Sequence, residues 1–192
     1  MRLFVALSIP AEIRENLSSL IDGLRRADGK PKWINPDNLH VTLKFIGEIV
    51  SEKLPALSDA LVTVRAARPI SLDFREIGFF PNERRPSVAW VGIQSVPNLA
   101  PMVAEMNSVL TPLGIPREEK SFVPHLTIAR FRETRLSSSL RTEIQQWRSR
   151  SFGTLSTGEF QLIESKLNSA GAEYTTLRSF RFAPESPESQ QS

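Results

Sequence analysis

The chain contains no cysteine, and only two of its 192 residues are histidine. The lack of cysteine excludes disulfides, thiolate catalysis and cysteine-based zinc sites, and it suits a cytoplasmic protein. The chain also lacks a Gly-x-Ser-x-Gly nucleophile motif and a glycine-rich phosphate loop. The apolar run at residues 3–7 is too short to span a membrane, and it is typical of a strand rather than a signal peptide. We therefore expect a protein that does not associate with membranes.

Charge is modest, with 24 basic and 21 acidic residues and a formal net charge of +3. This balance argues against a protein that binds nucleic acid through a broad positive surface. It favours a small site that binds an anionic group. Arginine outnumbers lysine by 18 to 6, and its guanidinium suits bidentate contacts with phosphate. The arginines cluster in several places, of which most belong to an ordinary solvated surface: 25–26, 84–85, 130/132/135 and 148/150.

Both histidines lie in the same four-residue frame, which reads His, aliphatic, Thr, aliphatic. The first frame is His40-Val41-Thr42-Leu43 and the second is His125-Leu126-Thr127-Ile128. Because side chains alternate between the faces of a strand, each frame buries two aliphatic residues and presents a His and a Thr together. A single such histidine is most often structural, but two identical frames predict a paired site.

Two imidazoles facing one substrate are suited to acid–base catalysis, because the ordinary histidine pKa lies near neutrality. The threonine hydroxyls can donate hydrogen bonds to an oxyanion between them. This combination favours phosphoryl transfer without a metal. A zinc or iron site is the alternative, but neither strand carries an acidic partner on its histidine face, since residue 38 is Asn and residue 123 is Val.

Hydrophobic periodicity predicts an α+β fold in which the order strand, helix, His strand, helix, strand, strand occurs twice. Such a repeat predicts two lobes related by a pseudo-two-fold axis, with the two His-Thr faces across one cleft. We expect a single bilobal domain over residues 1–182 and a disordered polar tail over 183–192. The predicted strands are 3–7, 39–46, 70–79, 87–93, 125–131, 160–167 and 174–182, and the predicted helices lie near 13–24, 51–66, 99–110 and 137–147.

The doubled His-x-Thr frame resembles the two-histidine (2H) phosphoesterase superfamily. Within it, the chain is similar to the RNA 2',3'-cyclic phosphodiesterases, also called 2'-5' RNA ligases. The likeness runs in order from residue 2 to about residue 182. The matching stretches are 2–7, 38–48, 87–92, 122–130 and 164–167 together with Gly171 and Tyr174.

The resemblance implies a bilobal, pseudo-two-fold duplicated fold in which two antiparallel sheets line a central cleft with helices outside. It implies hydrolysis of RNA 2',3'-cyclic phosphate ends, tRNA halves among them, to 2'-phosphomonoesters. His40 would then be the general acid and His125 the general base, although near-identical frames cannot order these roles. Thr42 and Thr127 would hold phosphate oxygens. A monomer without metal or cofactor is expected.

Arg130 and Phe45 match family positions near the nucleotide, and each lies five residues after a histidine. Simple alternation contradicts these two assignments, because an odd offset puts both side chains on the face opposite the histidine. Phe45 would then belong to the core, and Arg130 would need a bulge to reach the cleft. Trp33 and Phe79 can stack on a base, but packing in the core is the commoner role for both.

Three functions remain open from the sequence. The first is the metal-independent RNA-end phosphodiesterase, with 2'-5' ligation when a 5' hydroxyl replaces water. The second keeps the site but acts on a small cyclic phosphate. The third is a non-catalytic RNA-binding module.

Overall fold

Two antiparallel sheets and four helices make up the computed structural model, which describes residues 1–65, 70–95, 99–118, 121–132, 135–169 and 171–182. The strands are β1 Arg2–Ser8, β2 Lys32–Trp33, β3 His40–Glu48, β4 Ile70–Phe80, β5 Val88–Ser95, β6 His125–Arg130, β7 Ser151–Thr157, β8 Glu159–Asn168 and β9 Gly171–Arg181. The helices are α1 Ala11–Ala27, α2 Leu54–Val62, α3 Leu99–Leu110 and α4 Ser138–Trp147.

The two sheets have matching strand orders. The first sheet runs β3-β1-β8-β9, and the second runs β6-β5-β4-β7 with the short β2 added beside β6. In each sheet the His strand thus lies beside the first strand of its repeat, β3 beside β1 and β6 beside β5. This agrees with the predicted pseudo-two-fold duplication. The chain nevertheless crosses between lobes, because β4 joins the second sheet while β8 and β9 complete the first.

The helices lie in two pairs outside the sheets. Helix α1 packs against α4 and β7. Helices α2 and α3 pack against each other, and α2 also packs against β9 and α3 against β3. In α1 the apolar residues recur at helical spacing, and Ile13, Leu17 and Leu20 are at most 3% exposed. Helix α4 begins where Ser137 accepts a hydrogen bond from the Leu140 N–H, as an N-cap does.

One hydrophobic core connects both sheets. It contains Val41 and Leu43 of β3 and Leu126 and Ile128 of β6, none more than 2% exposed. Burial of each such side chain contributes about 1.5–3 kcal/mol to folding. The aliphatic half of each His frame is therefore held in the core, as alternation predicts.

Some element predictions differ from the structure. Strand β7 was not predicted, because its Ser, Thr and Gly content leaves only Phe152 and Leu155 buried. The helix predicted over 51–66 begins as a 3-10 turn at Ser51–Lys53 and ends at Val62. The two-residue strand β2 was not predicted either. The predicted tail, 183–192, and residue 66 lie outside the described residues.

Candidate active site

His40 and His125 each begin a strand, β3 and β6, and these two strands lie against each other. Both imidazoles are partly exposed, as are Thr42 and Thr127, while the residues between them are buried. The structure thus presents both His-Thr pairs on the outer faces of two strands that share one core.

The two imidazoles are oriented in the same way. In each, Nδ1 lies 2.8 Å from the backbone carbonyl oxygen of the residue two positions earlier, Asn38 for His40 and Val123 for His125. A carbonyl oxygen only accepts, so Nδ1 carries the hydrogen and Nε2 is left for a ligand. The Asn38 side chain also donates to the Ala172 carbonyl oxygen at 2.8 Å, which ties this support to β9.

Aromatic rings surround His40. Its ring centroid lies 4.7 Å from that of Phe4 and 5.1 Å from that of Tyr174, which meets it edge-on. Desolvation among these groups lowers the pKa of His40 below the ordinary histidine value, and the hydrogen bond to Asn38 offsets this only in part. His40 is therefore neutral at neutral pH in the free protein, with Nε2 unprotonated.

His125 has an aromatic setting on the other sheet. Its ring centroid lies 5.0 Å from that of Phe80, edge-on, and 6.4 Å from that of Trp90. Gly78 faces Trp90 across β4 and β5, and a Cβ added there would come within 2.1 Å of the indole. A glycine at 78 therefore leaves the space that the Trp90 indole occupies.

A β-bulge in each histidine strand resolves the conflict over Phe45 and Arg130. In β3 the pairing with β1 skips Leu43, because Val5 pairs with Lys44 and Ala6 with Thr42. Leu43 and Lys44 are consequently both buried, and the alternation resumes one residue later. Phe45 is 58% exposed and its ring lies 6.4 Å from that of Phe4, which also contacts His40. The interpretation of Phe45 as a core residue was wrong.

The same bulge recurs three residues after His125. The pairing with β5 skips Ile128, so Ile128 and Ala129 are both buried and Arg130 is exposed on the outer face. The bulge that Arg130 needs is therefore present in β6. Phe45 and Arg130 both share a face with the histidine of their strand.

Trp33 and Phe79 take packing roles. Phe79 is 8% exposed and lies 6.2 Å, between ring centroids, from Phe131. Trp33 packs against the core, and its Nε1–H donates to the Asp28 carbonyl oxygen at 2.9 Å. Both side chains therefore pack against the core, Phe79 fully and Trp33 in part.

The hydroxyls of Thr42 and Thr127 make no hydrogen bond to any other residue that the structure describes, which leaves them available to a ligand. Within the described residues, no group of three His, Cys, Asp or Glu side chains is arranged to hold a metal ion. None of the helices in the described ranges is long and apolar enough to cross a membrane.

Comparison with known proteins places this geometry in a family. Residues 7–90 match the model of the family described as LigT like Phosphoesterase. The RNA 2',3'-cyclic phosphodiesterase of Archaeoglobus fulgidus is 34% identical over 180 residues, covering 94% of this chain and 99% of the relative. The enzyme of the same name from Methanothermobacter thermautotrophicus is 31% identical over 182 residues, covering 94% and 98%. The chain belongs to the LigT-like phosphoesterases.

A solved structure extends the agreement to the LigT-like fold. The crystal structure of a Thermus thermophilus protein superposes with a TM-score of 0.81 at 28% identity, covering 97% of this chain and 100% of the other. The predicted family and fold class are both confirmed, and this LigT-like chain is an enzyme of the RNA 2',3'-cyclic phosphodiesterase family.

Four aromatic residues of this LigT-like site were not assigned to it from the sequence: Phe4, Phe80, Trp90 and Tyr174. Each comes from a strand other than the histidine's own, so its position depends on strand pairing and not on local spacing. Tyr174 carries one usable signal, because it is the only tyrosine in the chain.

Proposed function

We propose that this protein hydrolyses the 2',3'-cyclic phosphate at an RNA 3' end to a 2'-phosphomonoester. The observation that supports the proposal most directly is the pair of His-x-Thr frames on contacting strands, each with Nε2 free and a threonine hydroxyl beside it. Membership of the RNA 2',3'-cyclic phosphodiesterase family supports the same substrate.

In the proposed reaction, His125 Nε2 takes a proton from a water molecule whose oxygen attacks phosphorus. The bond between phosphorus and O3' breaks, and His40 Nε2–H gives its proton to the departing O3'. The products are a 2'-phosphate and a free 3' hydroxyl, so one water is consumed and all atoms balance. The hydroxyls of Thr42 and Thr127 donate to the two non-bridging oxygens, whose charge grows in the transition state.

The acid role requires His40 to be protonated when substrate is bound. Its pKa is lowered in the free protein by burial beside Phe4 and Tyr174. A bound phosphodiester brings a negative charge to the imidazole, which raises the pKa again. We infer that substrate binding and protonation of His40 are coupled, so the acid is charged only when its substrate is present.

Phe45 and Arg130 are proposed to bind the terminal nucleotide from opposite lobes. Phe45 offers an exposed ring on which a base can stack, and Arg130 offers an exposed guanidinium to the phosphate. The same cyclic phosphate can be attacked by the 5' hydroxyl of a second RNA, which gives a 2'-5' linkage; tRNA halves are proposed substrates of this kind. The reaction is proposed to need no metal, and the protein to act as a cytoplasmic monomer.

Turnover in the presence of EDTA tests the proposed function. A short RNA ending in a 2',3'-cyclic phosphate is incubated with the protein, and the position of the product phosphate is determined with a phosphatase specific for 3'-phosphates, which leaves a 2'-phosphate in place. We expect a 2'-phosphate at the same rate with and without EDTA. A 3'-phosphate product, loss of turnover in EDTA, or turnover of small cyclic nucleotides but not of RNA would contradict the proposal.

A further inference from the structure

Four arginines line two adjoining cavities on the second lobe. The cavities have volumes of about 560 and 570 Å³ and share two of these side chains, so they form one continuous depression. All four are exposed. We call this depression the arginine groove, and its arginines are Arg84, Arg85, Arg135 and Arg141.

The loop between β4 and β5 holds Arg84 and Arg85 in a defined turn. The Asn82 Oδ1 accepts hydrogen bonds from the backbone N–H of Arg84 at 3.0 Å and of Arg85 at 3.1 Å. The loop is closed where the Ser87 N–H and hydroxyl both donate to the Phe80 carbonyl oxygen, at 2.7 and 2.9 Å. The arginine pair therefore projects from an ordered turn, so the backbone there loses little entropy when the side chains bind a ligand.

The other side of the groove comes from the start of α4. Arg141 lies in the first turn, where its backbone N–H donates to the Ser137 carbonyl oxygen at 3.1 Å. Helix α4 packs against β4 and α1, which fixes this turn relative to the loop. Two independent elements therefore bring their arginines to one depression.

The positive charge of the groove is not neutralised within the described part of the chain. None of its four guanidiniums forms an ion pair with a carboxylate there. Glu83 also lines one of the two cavities, but it pairs with Arg148 at 3.1 Å. Since the whole chain has a net charge of only +3, four unpaired guanidiniums in one groove are a local concentration of charge that fits a polyanion.

The groove is connected to the candidate active site by a short stretch of chain. Phe80 contacts the His125 ring at 5.0 Å between centroids, and Arg84 follows it by only four residues. Four residues span at most about 14 Å. A strand whose last phosphate lies between the two histidines therefore needs only a short further length to reach the groove.

We propose that the arginine groove binds the phosphate backbone of the RNA strand upstream of the cyclic phosphate. This inference rests on the proposed function, and it makes an RNA strand long enough to reach Arg84 and Arg141 the preferred substrate over a 2',3'-cyclic mononucleotide. Guanidinium contacts with phosphate carry no base preference, so the groove selects for strand length and not for sequence.

The experiment compares a 2',3'-cyclic mononucleotide with a cyclic-phosphate oligomer of about eight nucleotides, a length typical of single-strand sites. The proteins are the wild type, the double variant Arg84→Gln/Arg141→Gln, and the control Arg65→Gln/Arg117→Gln. The control loses the same charge, but from the exposed region near α2 and α3. KM and kcat are measured between about 50 and 200 mM salt.

With the wild type, we expect a lower KM for the oligomer than for the mononucleotide. The groove variant should raise the oligomer KM by about fivefold or more at low salt and reduce the slope of log KM against log salt by about 1.4, which is 0.7 for each lost contact. Its mononucleotide kinetics should match those of the control. Two results would overturn the proposal that the groove binds RNA. One is equal KM values for both substrates in the wild type, and the other is a groove variant whose oligomer KM and salt dependence match those of the control.

A binding measurement separates failure of the groove from failure of the proposed function. The same proteins are titrated against a labelled oligomer with a 3'-phosphate end, followed by fluorescence anisotropy. If the wild type turns over no cyclic phosphate, the proposed function fails. In that case a selective loss of oligomer binding in the groove variant still supports the groove, and equal binding by variant and control overturns it.

Discussion

Phe45 and Arg130 occupy equivalent positions on the two histidine strands, each five residues after its histidine and directly after a buried pair at a bulge. The bulge turns each of these side chains onto the histidine's face. One lobe therefore offers a ring and the other a guanidinium at the same place, so the two-fold repeat is asymmetric in its chemistry. An asymmetric site suits a substrate with a base at one end and a phosphate at the other.

Replacement of Arg130 by Gln should weaken substrate binding. Loss of a charge-assisted hydrogen bond should cost about 1.5–3 kcal/mol of binding free energy. This corresponds to a rise in KM of about tenfold or more, with a smaller change in kcat. Steady-state kinetics on cyclic-phosphate RNA measure this. Arg132→Gln is the control, because Arg132 is exposed two residues further on, beyond β6. Equal KM values for the two variants would show that Arg130 does not contact the substrate.

Replacement of Gly78 by Ala should disturb the His125 side of the site. The new Cβ would collide with the Trp90 indole, which packs against Phe80 at 5.2 Å between ring centroids. Overpacking of this kind costs about 1–3 kcal/mol of unfolding free energy, and displacement of Trp90 should also lower kcat.

Denaturant unfolding and kinetics on the same preparation measure both effects of the Gly78 change. Gly158→Ala is the control, because no atom lies within 4 Å of a Cβ added at that position. If Gly78→Ala were as stable and as active as Gly158→Ala, the close packing between Gly78 and Trp90 would not matter to the site.

Lys44 connects the first histidine strand to the segment that leads toward the second. Its side chain is buried, its Nζ donates to the Pro116 carbonyl oxygen at 2.7 Å, and Glu118 lies 3.8 Å away. We expect Lys44→Ala to lower the unfolding free energy by about 1.5–3 kcal/mol, because the Pro116 oxygen loses a charged donor. Chemical denaturation against Lys53→Ala, an exposed lysine, measures this. A loss no larger than that of the control would argue against this contact.

The pKa of His40 should set one of the two limbs of the pH profile of kcat/KM. Burial lowers this pKa, so that limb should lie below the ordinary histidine value of about 6.5. Tyr174→Ala exposes the imidazole to water, so the pKa should rise and that limb should move to higher pH.

Thr175→Ala, at an exposed position beside Tyr174 on β9, should leave the profile unchanged. A shift of that limb to lower pH in Tyr174→Ala would contradict burial as the cause of the lowered pKa of His40. If the pH profile of kcat/KM were unchanged in both variants, the titration that it reports would not depend on the aromatic residues around His40.

The pairing of His with Thr was predictable because it needs only the two-residue period of a strand. The bulges at Leu43 and Ile128 were not, because a bulge is defined by the partner strand, and nothing within residues 40–48 or 125–130 identifies β1 or β5 as that partner. The exposure of Phe45 was missed for this reason. The contacts of Phe4, Phe80, Trp90 and Tyr174 depend on the same non-local pairing.

The exchange of strands between lobes could not be predicted from the local sequence either. Strand β4 has the composition of a buried strand in either sheet, and its pairing with β5 and β7 rather than β1 is a property of the whole chain. The arginine clusters were visible in the sequence. Their convergence on one groove depends on the docking of α4 beside the loop after β4.

The central claim is that His40 and His125 act as one acid–base pair, and a set of four proteins tests it most directly. Turnover of a cyclic-phosphate RNA is measured in EDTA for the wild type, His40→Ala, His125→Ala and the double variant, after circular dichroism has shown that all four are folded. The account predicts a loss of about 10²–10⁴-fold for each single variant, and a double variant hardly slower than the singles. A single variant that keeps wild-type turnover would contradict it.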